Sequence, residues 1–191
     1  MKKIIITSLV AMMAATGANA ATEWFVGGSV GLGYEKDDFI AFNIAPEVGY
    51  NVTDKFDVGA MVKFAQWDDK APGADYTETS FGGGLFARYN VVSFGNFNVL
   101  LKGIVYVDLY NISAGSTDID TTTFGAKVLP MVTYQLSESF SLFAELNFLN
   151  VGIEKVTSDV KAWETTSAGF NIDTNDVKNT ADIQIGFNYH F

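Results

Sequence analysis

The sequence contains no cysteine, only three prolines and a single histidine. Without cysteine there is no disulfide framework, no thiol nucleophile and no lipobox cysteine to take an N-terminal lipid. Positive charge is scarce too: 12 Lys and Arg stand against 22 Asp and Glu, a formal net charge of −10. That is the wrong sign for nucleic-acid binding, which needs a basic footprint. The chain is 48% hydrophobic and 14% aromatic. Yet beyond its first 20 residues it has no apolar run approaching the roughly 20 residues of a membrane helix. Its hydrophobicity is spread over every second position.

The N-terminus is the exception. Lys2 and Lys3 precede an apolar stretch from Ile4 to Ala15, and then Thr16-Gly17-Ala18-Asn19-Ala20. These are the n-, h- and c-regions of a secretory signal peptide, with Ala18-Asn19-Ala20 as an A-x-A cleavage site. The apolar stretch is too short to span a bilayer as a helix. The expected division is therefore a signal peptide over 1–20 and one domain over 21–191. Loss of the two lysines takes the formal charge of the mature chain to −12.

Alternation of apolar with small or polar residues, the period-2 signal of strands, runs through eight segments. They cover 24–34, 40–52, 56–64, 81–91, 97–108, 124–134, 140–148 and 181–191. Each is close to the 9–11 residues of a tilted membrane strand. Connections alternate in length. Short turns (Thr53-Asp54-Lys55, 93–96, Ser137-Glu138-Ser139) alternate with long polar stretches at 67–79, 111–121 and 152–179. The first connection, Glu35 to Asp38, is short and acidic. Short periplasmic turns with longer outer loops are the outer-membrane pattern. An internal echo relates Pro46-x3-Tyr50 to Pro130-x3-Tyr134, 84 residues later. Proline lacks an N–H for the ladder, so a bulge or bend is expected at each.

The apolar face carries almost no charge. The opposite face collects Glu47, Asp57, Lys63, Arg88, Lys102, Asp108, Lys127, Glu145 and Asp182. A soluble lipocalin-like carrier would need the reverse, a polar exterior around an apolar cavity. This pattern requires a lipid exterior and a polar lumen. Tyr50, Phe56, Tyr89, Phe97, Tyr134, Phe140 and Tyr189 all fall on the apolar face beside the short turns. They read as an aromatic girdle at the periplasmic interface.

The paired Pro-x3-Tyr hairpins and the ending Ile185-Gly186-Phe187-Asn188-Tyr189-His190-Phe191 carry a family resemblance. Over its whole expected mature length, the chain resembles the small outer-membrane β-barrel proteins of the OmpA/OmpX-like, porin-family superfamily. The resemblance implies an all-β fold: an eight-stranded antiparallel up-and-down transmembrane β-barrel in the outer membrane of a Gram-negative envelope. Its implied partners are outer-membrane lipid and lipopolysaccharide. Phe187, Tyr189 and the terminal Phe191 resemble the signal read by the barrel-assembly machinery.

Glu47, Arg88, Lys102 and Glu145 lie at similar depth, five or six residues from the periplasmic ends of their strands. Two readings stand: a polar core plugged by paired charges, or a narrow, gated path for ions or small solutes, as in a small porin or transporter. An eight-stranded barrel is only wide enough to be filled by side chains, which favours the plug. Catalysis is not expected. Related barrel enzymes place histidine near the outer rim, whereas His190 stands at the periplasmic end with no partnered nucleophile. The Gly82-Gly83-Gly84 run has no following helix or lysine, so it reads as close lumen packing. No cofactor and no metal site are expected, since no calcium spacing is met. The outer loops, with Trp67, Tyr76 and Trp163 among many acids, leave three roles open: contact with an extracellular or host surface, cation bridging to lipopolysaccharide, or a hydrophilic cap.

Overall fold

The computed structural model describes residues 24–35, 39–71, 74–114, 117–161, 164–172 and 183–191. The expected signal peptide, 1–20, and Asp182 lie outside them. Ten strands form one antiparallel sheet: β1 (Trp24–Glu35), β2 (Phe39–Thr53), β3 (Phe56–Ala71), β4 (Ala74–Phe94), β5 (Phe97–Ala114), β6 (Thr117–Gln135), β7 (Phe140–Leu146), β8 (Leu149–Ser158), β9 (Thr165–Ile172) and β10 (Ile183–His190). Strands β1 to β7 pair in order, and β10 joins β7 back to β1. The result is a closed eight-stranded up-and-down barrel. Closure runs to the last residue, where the Phe191 N–H donates to the Trp24 carbonyl at 3.1 Å.

Strands β7 and β8 share one lane. β7 pairs with Met131–Gln135 of β6, and β8 with Thr121–Val128. Between them the partner register jumps from Val151 to Glu145, and Pro130 sits opposite that break. The other proline behaves differently. Pairing of β2 with β3 lapses between Ile44↔Phe64 and Glu47↔Met61, around Pro46, but resumes without a shift. A missing N–H is common to both sites. Only at Pro130 does the neighbouring strand break to accommodate it.

Within the stretches expected as loops, residues 67–71, 74–79, 111–114 and 117–121 are strand. β3 and β4 run on to a hairpin at Ala71↔Ala74, and β5 and β6 to one at Ala114↔Thr117. Polar cross-strand pairs hold these extensions: Thr77 to Asp68 at 2.8 Å, Asn111 to Asp120 at 2.8 Å and Ser113 to Asp118 at 2.7 Å. Polar composition suggested loops, but alternation and opposed hydrogen-bonding side chains sustain a ladder equally well. The third long connection likewise contains β8 and β9.

Apolar side chains cover the outside, and large side chains pack inside. Leu32, Phe81, Leu85, Val105 and Ile185 are each more than half exposed, whereas Phe25 and Leu129 are fully buried. Four lumen aromatics each stand directly across from a glycine: Phe25↔Gly49, Phe86↔Gly59, Tyr106↔Gly125 and Phe143↔Gly186. A methyl group on any of these glycines would overlap the opposing ring. Each of the eight barrel strands takes part in one such pair, so ring and gap together lock four strand pairs.

Candidate functional site

The inward positions of β2, β3, β4, β5 and β7 converge on one ion network. Arg88 is 2% exposed; its Nη1 donates to Glu47 Oε1 at 3.0 Å and its Nε to Asp57 Oδ1 at 2.7 Å. Lys102, 1% exposed, donates to Glu47 Oε2 at 2.9 Å and to Glu145 Oε1. Glu47 thus bridges the two cations, and five side chains form a continuous chain across the lumen. In the amide orientation that satisfies both its groups, Asn188 donates to Glu47 at 2.9 Å and accepts from Arg88 at 3.3 Å. The Arg88 guanidinium lies 4.3 Å from the centroid of Phe25 and 5.1 Å from that of Phe86. Lys102 lies 4.7 Å from the Phe86 centroid. Cations with aromatic faces on one side and carboxylates on the other are well compensated for burial.

A second, smaller group stands towards the far end. Lys63 pairs with Asp108 at 3.0 Å, and the Tyr110 hydroxyl donates to the same carboxylate oxygen at 3.3 Å. Tyr106 donates to Glu154 at 2.9 Å. Lys127 meets no carboxylate within ion-pair distance among the described residues; it donates to Asn147 Oδ1 at 2.9 Å. So the lumen positions named from sequence divide. Glu47, Asp57, Arg88, Lys102 and Glu145 are brought together, Lys63 and Asp108 form their own pair, and Lys127 stands apart. At the short-turn end a polar vestibule of about 410 Å³ opens below Arg88, lined by Asn51, Asn90, Asn98, Thr133 and His190.

Sequence reasoning missed the aromatic side of this site. Phe25, Phe86 and Phe143 sit on the face read as small or polar. The signal was visible as large rings breaking that rule, each with a glycine at the matching place on the adjacent strand. Asn188 and Asn147 were also missed, since nothing local marks one lumen amide as a bridge.

On the outside, Phe56↔Tyr89, Phe97↔Tyr134, Phe140↔Tyr189 and Trp24↔Tyr50 are directly opposed pairs near the short turns. Rings of Phe97 and Tyr134 are 4.5 Å apart, and those of Trp24 and Tyr50 5.2 Å, which adds Trp24 to this belt. Phe187 stacks on Phe140 at 5.7 Å, and Tyr189 on Phe191 at 6.3 Å, so the C-terminal aromatics lie in the same belt. Eight residues further along β2, β3 and β4 stand Phe42, Phe64 and Phe81. With strand tilt, that spacing is about 20 Å along the barrel axis, close to the height of an outward apolar band.

No family model and no curated protein sequence matches the chain. Among solved structures it is similar to Neisserial surface protein A, at 17% identity and a TM-score of 0.54, covering 91% of this chain and 100% of that one. A major outer membrane protein from Thermus thermophilus aligns at 14% identity and a TM-score of 0.49, covering 88% and 99%. The closed ring of eight antiparallel strands, its apolar exterior and the first of these likenesses agree: the chain has the fold of the small, OmpA/OmpX-like outer-membrane β-barrels.

Proposed function

We propose that this protein is a non-enzymatic outer-membrane barrel, exported by its N-terminal leader, that serves envelope structure or surface contact. In this reading its lumen is closed and its working surface is the outer sheet extension. The observation that carries the closed lumen is the Asp57–Arg88–Glu47–Lys102–Glu145 chain, packed against buried Phe25, Phe86 and Phe143. Four of its five charges, Glu47, Arg88, Lys102 and Glu145, are almost wholly shielded from water, so opening a path would strand them unpaired, at a cost of several kcal/mol. The belt of Trp24, Tyr50, Phe56, Tyr89, Phe97, Tyr134, Phe140 and Tyr189 then lies at the periplasmic interface. Lipid and lipopolysaccharide cover the outward face. The barrel-assembly machinery engages the last strand through Phe187, Tyr189 and Phe191.

Planar-bilayer recording of the purified, heat-modifiable protein tests this. Silence, or rare brief events, is the expected result. Steady unitary conductance that changes in Arg88→Ala without loss of stability would establish the small-porin reading instead.

A further inference from the structure

The extensions of β3 to β6 reverse the polarity of the barrel beneath them. On the outward face, Phe64, Phe81, Leu109 and Phe124 give way at the next outward position to Gln66, Thr79, Asn111 and Thr122. The inward face changes in the opposite sense, from Lys63 and Asp108 to Trp67, Tyr76, Tyr110 and Ile112. Strand pairing runs through this change without a slip, from Lys63↔Gly82 to Ala71↔Ala74 and from Gly82↔Asp108 to Thr77↔Ser113. The reversal is therefore in the residues and not in the register.

Glu78 stands in the middle of that inward face. It is directly opposite Trp67 on β3 and opposite Ile112 on β5. Tyr76 is the next inward residue on its own strand. Tyr110, opposite Ser80, is the diagonal neighbour of Glu78 across β4 and β5. Opposed side chains start about 5 Å apart and diagonal ones about 7 Å, so three rings and a carboxylate share one small patch. Trp67, Tyr76, Glu78 and Tyr110 are all half-buried. Among described residues Glu78 makes no ion pair; the nearby Lys63 ammonium is bound to Asp108.

We propose that this patch binds a small organic ammonium group, with Glu78 as counter-ion and Trp67, Tyr76 and Tyr110 as aromatic walls. Aromatic faces attract a weakly hydrated cation through their quadrupoles, and a half-desolvated carboxylate strengthens the attraction. A bare metal ion fits less well. The rings supply few oxygen ligands, and no group of three acid or histidine side chains that could hold a metal ion occurs among the described residues. A neutral ligand would leave Glu78 without a partner. The acidic outer surface, with Asp68, Asp118 and Asp120 on the same strands and a net charge of −10, steers cations towards the mouth. The proposal does not depend on whether the lumen conducts.

The test is calorimetric titration of the folded barrel, in a neutral maltoside detergent, with three probes. Tetramethylammonium represents a quaternary headgroup, n-butylammonium a lysine side chain, and tert-butanol is the neutral isostere. Saturable binding of at least one ammonium, about tenfold tighter than tert-butanol, is expected. The tighter of the two ammonium ions identifies the source of the group. Glu78→Gln, checked for folding by heat-modifiable migration, should weaken that binding about tenfold. The proposal is overturned if neither ammonium saturates, if tert-butanol binds as well, or if folded Glu78→Gln binds like wild type. Should Glu78→Gln not fold, the probe comparison on the unmodified protein decides alone.

Discussion

Below the row formed by Phe64, Phe81 and Phe124, the barrel is apolar outside and holds its ion pairs inside, packed among Phe25, Phe86, Tyr106 and Phe143. Above it, the same strands are polar outside and aromatic inside. Both regions obey one period-2 alternation in one unbroken register, so strand formation is indifferent to which face is greasy. What differs is the medium the outward face must meet. Outward apolar groups suit lipid and force polar groups inward, where they must pair. Outward Asp, Asn, Ser and Thr suit water and release the inner face for aromatic side chains. The lower region consequently depends on complete internal pairing, whereas the upper one depends mainly on its backbone ladder.

The largest expected effect breaks the lower region. Arg88→Ala leaves Glu47 and Asp57 facing each other without their shared cation and should cost about 3–5 kcal/mol, read from urea unfolding in lipid vesicles. Next comes a charge on the outward apolar band. Leu85, midway between Tyr89 and Phe81 and 69% exposed, should lose about 2–4 kcal/mol as Leu85→Arg. The same unfolding assay should show Asn111→Arg, above the row, near neutral. If both arginines were equally costly, the boundary would be misplaced. Lys63→Met sits between the two regions and should cost about 2 kcal/mol. It strips Asp108 of its ammonium while leaving the Tyr110 hydroxyl in place. Smallest is Thr77→Val, which removes one part-buried hydrogen bond to Asp68 and should cost no more than about 1 kcal/mol. A larger loss would mean that the extension folds as part of the barrel's cooperative core.

Much of this was legible residue by residue. The run Ile40 to Val52 announces a strand with one greasy face, and Glu47 on its other face announces a charged interior. Similar depth for Glu47, Arg88, Lys102 and Glu145 left pairing across the interior as one possible arrangement. Their bonding pattern was not legible, because Asp57 belongs to the same chain and Lys127 does not, although both stand on inward positions. Nor did composition distinguish the polar strand ends at 67–71, 74–79, 111–114 and 117–121 from loops.

The sequence by itself determined the eight alternating strand segments, which face of each is apolar, and therefore that the barrel must be greasy outside. Those properties are local, since alternation needs only neighbours along the chain. Only the tertiary structure decided that Glu47 holds two cations at once, that four aromatic rings fill four glycine gaps, and that Trp67 and Tyr110 stand on the strands either side of Glu78. These depend on the stagger between strands and on closure of the ring, which bring together residues tens of positions apart with no mark in the local pattern.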